Sequence, residues 1–145
     1  MTRPLHLRAG PILLVAAGGS VGTAARYATA LALPSVGGLP LPTIAVNLVG
    51  AFLLGVLLES LARSGPDDGG RRTARLLLGT GVLGGFTTYS AFSLDTAEML
   101  LAGRVAEAAL AVAITLVLGT SAAVLGILLA HRARAEPTPA GRAAE

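Results

Sequence analysis

Few side chains in this sequence could carry chemistry, and most of those that could are uncharged. Asn47, Ser90 and Thr115 offer hydrogen-bonding groups inside apolar stretches, and Arg26 places a charge inside one. A buried amide is costly without a partner, so Asn47 either bonds another helix or donates its N–H groups to an anion. A hydroxyl such as that of Thr115 often bonds its own backbone instead. Arg26 is either a functional residue or a side chain that extends to the aqueous surface.

A pair of aromatic residues, Tyr89 and Phe92, lies close in sequence to Ser90. Residues three apart share one face of a helix, so both rings would project to the same side. Such a pair either packs in an ordinary core or contacts a ligand through its ring edges, which carry partial positive charge.

No combination of residues in the sequence supports catalysis. Cysteine is absent, which excludes disulfides, thiolate metal sites and thiol nucleophiles. His6 and His131 lie outside the apolar stretches, and neither a Ser-His-Asp arrangement nor a metal-ligand spacing occurs. The string from Gly79 to Gly84 fits G-x-G-x-x-G, but it lacks the preceding strand and the later acidic residue of a dinucleotide site. We therefore expect a protein that is not an enzyme.

The composition indicates an integral membrane protein. Of the 145 residues, 53% are apolar and 13% are charged, and the mean hydropathy is +0.72. Four stretches reach the roughly 20 apolar residues that a spanning helix needs, and the first is longer than a signal peptide's apolar core. We predict a single all-α domain over residues 1–132, with helices at about 11–33, 43–62, 73–101 and 105–130. Residues 133–145 are expected to form a disordered cytoplasmic tail.

The arginines predict the orientation of the chain in the membrane. They flank apolar runs, so they indicate topology and not a nucleic-acid surface. Four crossings put both termini on one side, and the arginines on that side are Arg3, Arg8, Arg63, Arg71, Arg72, Arg75, Arg132, Arg134 and Arg142. The other side has Arg104 and, near the end of its span, Arg26. We therefore expect both termini in the cytoplasm.

The third stretch is too rich in glycine to form one uninterrupted helix. Gly79, Gly81, Gly84 and Gly85 lie in its middle, and each glycine costs a helix about 1 kcal/mol relative to alanine. An adjacent glycine pair favours a break, and a break at membrane depth leaves carbonyls that must face protein, water or an ion. The alternative is that these glycines only allow helices to approach closely. We predict a break at mid-membrane.

Four segments, taken in order, form a pattern more specific than any single glycine motif. Residues 84–92 are GGFTTYSAF, residues 18–27 are GGSVGTAARY, residues 42–55 are PTIAVNLVGAFLLG and residues 97–104 are AEMLLAGR. In this order they resemble the signature, first-helix, second-helix and linker motifs of the Fluc (CrcB) fluoride channels, with Pro42 in place of a glycine. The resemblance covers about residues 10–130.

The resemblance implies a dual-topology dimer, in which two subunits insert in opposite directions around a buried Na⁺ ion. In that family, backbone carbonyls at the helix break hold the ion, and the matching residues here are Gly84 and Thr87. Sodium is a hard cation that prefers oxygen ligands, and unwound carbonyls are a known way to hold it at mid-membrane. The ion would be structural and would not be transported.

The resemblance also implies two pores along the subunit interface. The residues that match the family's pore are Asn47, Tyr89, Ser90, Phe92 and Thr115. Tyr89 replaces the commoner phenylalanine, and its hydroxyl either donates to the anion or packs. Arg26 matches an arginine near the pore vestibule, where it would attract anions. Asp95 is expected to be a local hydrogen-bond partner and not a ligand.

The implied activity is passive fluoride efflux through the bacterial inner membrane. One alternative is a small multidrug-type exporter, which also forms antiparallel four-helix dimers. It needs a carboxylate in the first helix, where this chain has Arg26. The other alternative is a packing subunit without transport, which would not explain the polar set Asn47, Ser90 and Thr115.

The arginine bias leads to a prediction about the partner subunit. A protein that inserts both ways should have nearly balanced flanking charge, and nine arginines against two are not balanced. We predict that this chain inserts one way and pairs with an oppositely oriented homologue, the alternative being a second copy. Fluoride and membrane lipid are the other expected partners, and nucleic acid is not one.

Overall fold

A computed structural model describes residues 9–133, and all its secondary structure apart from one short bridge is helical. Helix α1 spans Ala9–Ala32, α2 spans Leu41–Ala62, α4 spans Tyr89–Leu101 and α5 spans Val105–Ala133. Helix α3 covers residues 69–86 and contains a wider, π-helical section at Arg75–Leu83. Together α3 and α4 form the third predicted segment, so the all-α prediction with four segments is confirmed.

Parts of the predicted chain ends lie outside the described residues. These are Arg3, His6 and Arg8 before α1, and Arg134, Arg142 and the predicted tail from residue 134 onward. Ala133, placed in the tail by prediction, is the last residue of α5.

Helices α2 and α5 are each long and apolar enough to cross a membrane. Their most apolar windows have mean hydropathies of 2.2 and 2.4, yet only 22% and 6% of those windows are buried inside the protein. The core helix of a soluble protein would be mostly buried, so these exposed apolar surfaces suit a lipid environment. Helix α1 has 24 residues and is therefore about 36 Å long, which also exceeds the hydrocarbon thickness.

The helices pack mainly as two pairs, α1 against α3 and α2 against α5. In the first pair the backbones are so close that a Cβ atom added at Gly22 would collide with the Val82 carbonyl. In the second pair a Cβ atom at Gly126 would collide with the Phe52 carbonyl. Close contact at small residues is the usual way in which membrane helices associate, because lipid provides no hydrophobic drive between them.

The third segment is interrupted, as predicted. Thr87 (φ −75°, ψ 156°) and Thr88 (φ −148°, ψ 121°) are extended, and α4 begins directly after them. The break lies just beyond the glycine pair where we expected it, because Gly84 is still helical (φ −65°, ψ −33°). Gly85 faces the backbone of Gly19 in α1, where any side chain would collide. The glycine pair therefore allows close packing, and the two threonines form the break.

Most of the described arginines lie at one end of the helices. Arg63, at the end of α2, contacts His131 in the last turn of α5, and Arg75 lies beside the start of α1. Arg104 lies at the other end, where its guanidinium donates to the Gly38 carbonyl at 2.7 Å. Both ends of the described chain are thus on the arginine-rich side, in agreement with an even number of crossings.

Candidate functional site

A side chain from α2 holds the break in place. Asn47 Nδ2 donates to the Thr88 carbonyl at 3.0 Å, and the Thr88 backbone N–H donates to Asn47 Oδ1 at 2.8 Å. Because the peptide N–H must face an acceptor, this pair of bonds also determines which end of the amide is the oxygen. Of the two alternatives for Asn47, the structure shows the bond to another segment, and the amide nitrogen has a second N–H for a further acceptor.

The two carbonyls expected to bind a cation lose their helical donors at the break. In a continuous helix the Gly84 carbonyl would accept from the Thr88 N–H, but that N–H donates to Asn47. The Thr87 carbonyl would accept from the Ala91 N–H, which donates instead to Thr88 Oγ1 at 3.1 Å. Both oxygens thus leave the helical hydrogen-bonding pattern, and each can accept a bond from another partner.

Thr88 is a site residue that the sequence pattern did not identify. Its side chain accepts the first hydrogen bond of α4 and lies 3.2 Å from Ser90 Oγ, and the residue is only 8% exposed. The available signal was a threonine directly before an apolar helical run, which is a common N-cap pattern. Through Thr88, Asn47 and Ser90 belong to one connected polar group.

Arg26 places a positive charge beside the break. Its Nε donates to the Gly85 carbonyl at 3.2 Å, close to the end of α3. The carboxyl end of a helix carries partial negative charge, so a guanidinium is stabilised there. Arg26 also lines a cavity of about 290 Å³ between α1, α2 and the break, together with Thr23, Thr43 and Thr88. Thr43 and Thr23 donate their hydroxyl protons to Asp95 Oδ2 and to the Gly85 carbonyl, so the Arg26 guanidinium is the main group in this cavity that could attract an anion.

Tyr89 and Phe92 lie directly after the break, in the first turns of α4. Their ring centroids are 6.2 Å apart and the ring planes are inclined by 43°, so the rings occupy one face as the spacing predicted. Tyr89 is 81% exposed, which means that its ring packs against little of this chain. The edge of that ring is therefore open to an ion or to another subunit.

Two further hydroxyls have hydrogen-bond partners outside the polar group around Thr88. Thr115 Oγ1 donates to the Ala111 carbonyl of its own helix at 2.8 Å, and within residues 9–133 no hydrogen bond connects it to the group around Asn47. Thr43 Oγ1 in α2 donates to Asp95 Oδ2 in α4 at 2.6 Å, so Asp95 is a hydrogen-bond partner of a residue 52 positions away. The structure thus places Asn47, Ser90 and Arg26 at the break, but no described hydrogen bond connects Thr115 to them.

The sequence matches a known family over most of its length. Residues 13–127 fit the model described as CrcB-like protein, Camphor Resistance (CrcB). The chain belongs to the CrcB family. Its family membership and the two apolar helices α2 and α5 make this CrcB protein a membrane protein.

Several CrcB relatives are named as fluoride channels. Fluoride-specific ion channel FluC 2 of Leifsonia xyli subsp. xyli is 50% identical over 126 residues, which are 87% of each chain. Fluoride-specific ion channel FluC 1 of Cutibacterium acnes is 50% identical over 97 residues, 65% of this chain and 68% of that protein. Fluoride-specific ion channel FluC of Novosphingobium aromaticivorans is 48% identical over 118 residues, 78% of this chain and 90% of that protein. The resemblance noted in the sequence is confirmed.

Proposed function

We propose that this CrcB protein is a fluoride-specific ion channel that lets fluoride leave the cytoplasm passively. The observation that carries the proposal is the 50% identity, over 87% of both chains, to a protein named as such a channel. Hydrofluoric acid enters cells and dissociates, so the anion accumulates and leaves down its own gradient. The chain needs no energy source or catalytic group for this, which agrees with the absence of catalytic patterns in the sequence.

The residues at the break fit a structural Na⁺ ion. Gly84 and Thr87 would hold it through their backbone carbonyls. The N–H groups that would bond these carbonyls in a helix donate to Asn47 and to the Thr88 side chain instead, which leaves both oxygens available to a cation. Among residues 9–133 no cluster of His, Asp or Glu side chains could hold a metal instead. Bound there, Na⁺ would supply positive charge at the break and link the carbonyls of two subunits.

Fluoride would pass along the surface formed by Tyr89, Phe92 and the polar group around Thr88. Ring edges and hydroxyl donors attract an anion without the strong hold of a full positive charge, so the ion can also leave. Asn47 would contribute its remaining N–H, and Ser90 its hydroxyl, which is exposed. Thr115 would join this path only by turning its hydroxyl away from the Ala111 carbonyl.

Arg26 would form the vestibule of this path. Its guanidinium lines the cavity beside Thr43 and Thr88 and would raise the local concentration of fluoride. The same charge argues against a small multidrug-type exporter, because α1 contains Arg26 and no acidic residue. A packing subunit would use the same glycine contacts and the same bonds between Asn47 and Thr88, so only a flux measurement separates it from the channel.

The channel would function as an antiparallel pair in the bacterial inner membrane, with both termini of this chain in the cytoplasm. The described arginines support one fixed orientation, because Arg63, Arg71, Arg72, Arg75 and Arg132 lie at one end. The second subunit would then be an oppositely oriented homologue, and a second copy is the alternative. Reporter fusions at the C-terminus test the orientation, since equal cytoplasmic and periplasmic signals would show insertion both ways.

Liposome flux tests the channel proposal directly. Fluoride release without chloride or drug movement supports a channel, whereas proton-coupled drug movement would show the exporter. A complete lack of flux from the purified chain would fit either the packing subunit or a chain that conducts only with its oppositely oriented homologue, and flux after co-reconstitution with that homologue would separate the two.

A further inference from the structure

An open groove between α1 and α3 lies away from the polar group around the break. Its volume is about 600 Å³, and its walls are apolar apart from Arg72 and Arg75. On α1 the groove is lined by Ile12 and Val15, and Leu76 lines it on α3. Both helices begin at the arginine-rich end, where the guanidinium groups of Arg72 and Arg75 bond Asp67, whereas Val15 and Leu76 line the groove about one turn further in.

The described lining of each wall of the groove is about one helical turn, roughly 6 Å of helix. Arg72, Arg75 and Leu76 are three and four apart, as are Ile12, Val15 and Ala16, so each set lies on one helix face. Ile12 is 52% exposed, and nothing within residues 9–133 covers the groove. This arrangement has the polarity of a phospholipid, with a headgroup at the membrane surface and an acyl chain below it.

The charges at the mouth favour an anion. Arg75 forms a two-pronged ion pair with Asp67, at 3.0 Å from Nε to Oδ1 and 2.5 Å from Nη2 to Oδ2. Arg72 donates to the Asp67 backbone carbonyl at 2.7 and 3.1 Å, and its nearest carboxylate oxygen is 3.9 Å away. Since Arg71 pairs with Asp68, one positive charge, chiefly that of Arg72, is left for a ligand.

We propose that the groove between α1 and α3 binds an anionic phospholipid, with its phosphate at Arg72 and its acyl chain along Ile12, Val15 and Leu76. Basic pockets between membrane helices on the cytoplasmic side are a recognised type of site for such headgroups. The site is separate from the fluoride path, so it can be tested whether or not the chain conducts fluoride.

The test is native mass spectrometry of the purified full chain with phosphatidylglycerol, with phosphatidylcholine of the same acyl chains, and with glycerol phosphate. The wild-type protein should retain phosphatidylglycerol in preference to phosphatidylcholine and should not retain glycerol phosphate. Arg72→Gln should weaken phosphatidylglycerol binding about fivefold, because one arginine near the surface is lost. This variant keeps the Asp67–Arg75 pair, so it should fold.

Two further variants make the test specific. Arg132→Gln removes the same charge from the last turn of α5 at the same end, outside the groove, and should leave binding unchanged. Ala16→Trp fills the groove without changing charge and should reduce binding of phosphatidylglycerol.

Equal losses from Arg72→Gln and Arg132→Gln would overturn the proposal in favour of non-specific surface charge. Equal binding of glycerol phosphate, or a lipid-free dimer in which a second subunit covers the groove, would also overturn it.

Discussion

The side-chain amide of Asn47 and the peptide group of Thr88 form a closed pair of hydrogen bonds, 3.0 Å and 2.8 Å long, between α2 and the break in the third segment. The pair satisfies one N–H and one carbonyl that the broken helix exposes in an apolar environment. Because the Thr88 N–H donates to Asn47, it does not donate to the Gly84 carbonyl as it would in a continuous helix. One residue of α2 thus stabilises the break and prepares an oxygen for a cation.

Replacing Asn47 should damage both folding and flux. Asn47→Leu leaves the N–H and the carbonyl of Thr88 without partners, and each such buried group costs about 1–3 kcal/mol. We expect unfolding in denaturing detergent at a clearly lower concentration than for the wild type, and a loss of fluoride efflux from liposomes. Ser121→Ala is the matched control, because that hydroxyl is exposed and bonds only its own helix. Unchanged unfolding of Asn47→Leu would show that the pair does not hold the break.

Gly50 in α2 leaves the space that the Thr87 methyl group occupies at the break. A Cβ atom at Gly50 would collide with Thr87 Cγ2, whereas the next atoms, in Phe86 and Thr87, would be 3.6 and 3.7 Å away. Gly50→Ala should therefore destabilise the protein and reduce efflux, and Thr87→Ser, which lacks that methyl, should restore both in the double variant.

Gly119→Ala is the control for Gly50→Ala. No atom lies within 4 Å of a Cβ placed there, so this change should stabilise α5 by about 0.5–1 kcal/mol. If Thr87→Ser fails to rescue Gly50→Ala in denaturation experiments, the collision with the Thr87 methyl is not what destabilises Gly50→Ala.

Removing sodium should lower stability if the Gly84 and Thr87 carbonyls hold the ion. A ligand that binds only the folded state stabilises it by about 2.7 kcal/mol at 100 times its dissociation constant. Thermal unfolding should thus begin at a lower temperature in N-methylglucamine chloride than in sodium chloride of the same ionic strength. Titration with sodium should restore the wild-type midpoint, and an unfolding temperature independent of sodium would argue against the site.

An ion pair between the loop after α2 and the helix α3 should make the stability of the protein depend on pH. The Arg75 guanidinium hydrogen-bonds Asp67 and holds the pKa of that carboxyl below its ordinary value of 3.8. A lowered pKa in the folded state means that the pair stabilises fully above the unfolded pKa and is lost as pH falls through the folded one. The unfolding temperature should therefore decrease below about pH 4, and Asp67→Asn should reduce this decrease. An identical acid profile for Asp67→Asn would contradict the assignment.

Features that act locally in the sequence were enough to predict the helices and the interruption of the third segment. The apolar runs predicted four helical segments, and the crowding of glycines predicted that the third is interrupted. The exact position could not be predicted, because Gly85 packs against Gly19, a residue more than sixty positions away. The partner of Asn47 was left open for the same reason, since only the fold brings Thr88 to it.

The most direct test of the channel is fluoride-electrode and chloride-electrode flux from liposomes that contain the purified chain. Reconstitution from detergent bypasses the insertion machinery, so a second copy can take the opposite orientation, and co-reconstitution with an oppositely oriented homologue covers the heterodimer proposed above. The account predicts rapid release of the trapped fluoride while chloride stays inside. Fluoride retained as in protein-free liposomes in both preparations, or chloride released as fast as fluoride, would contradict it.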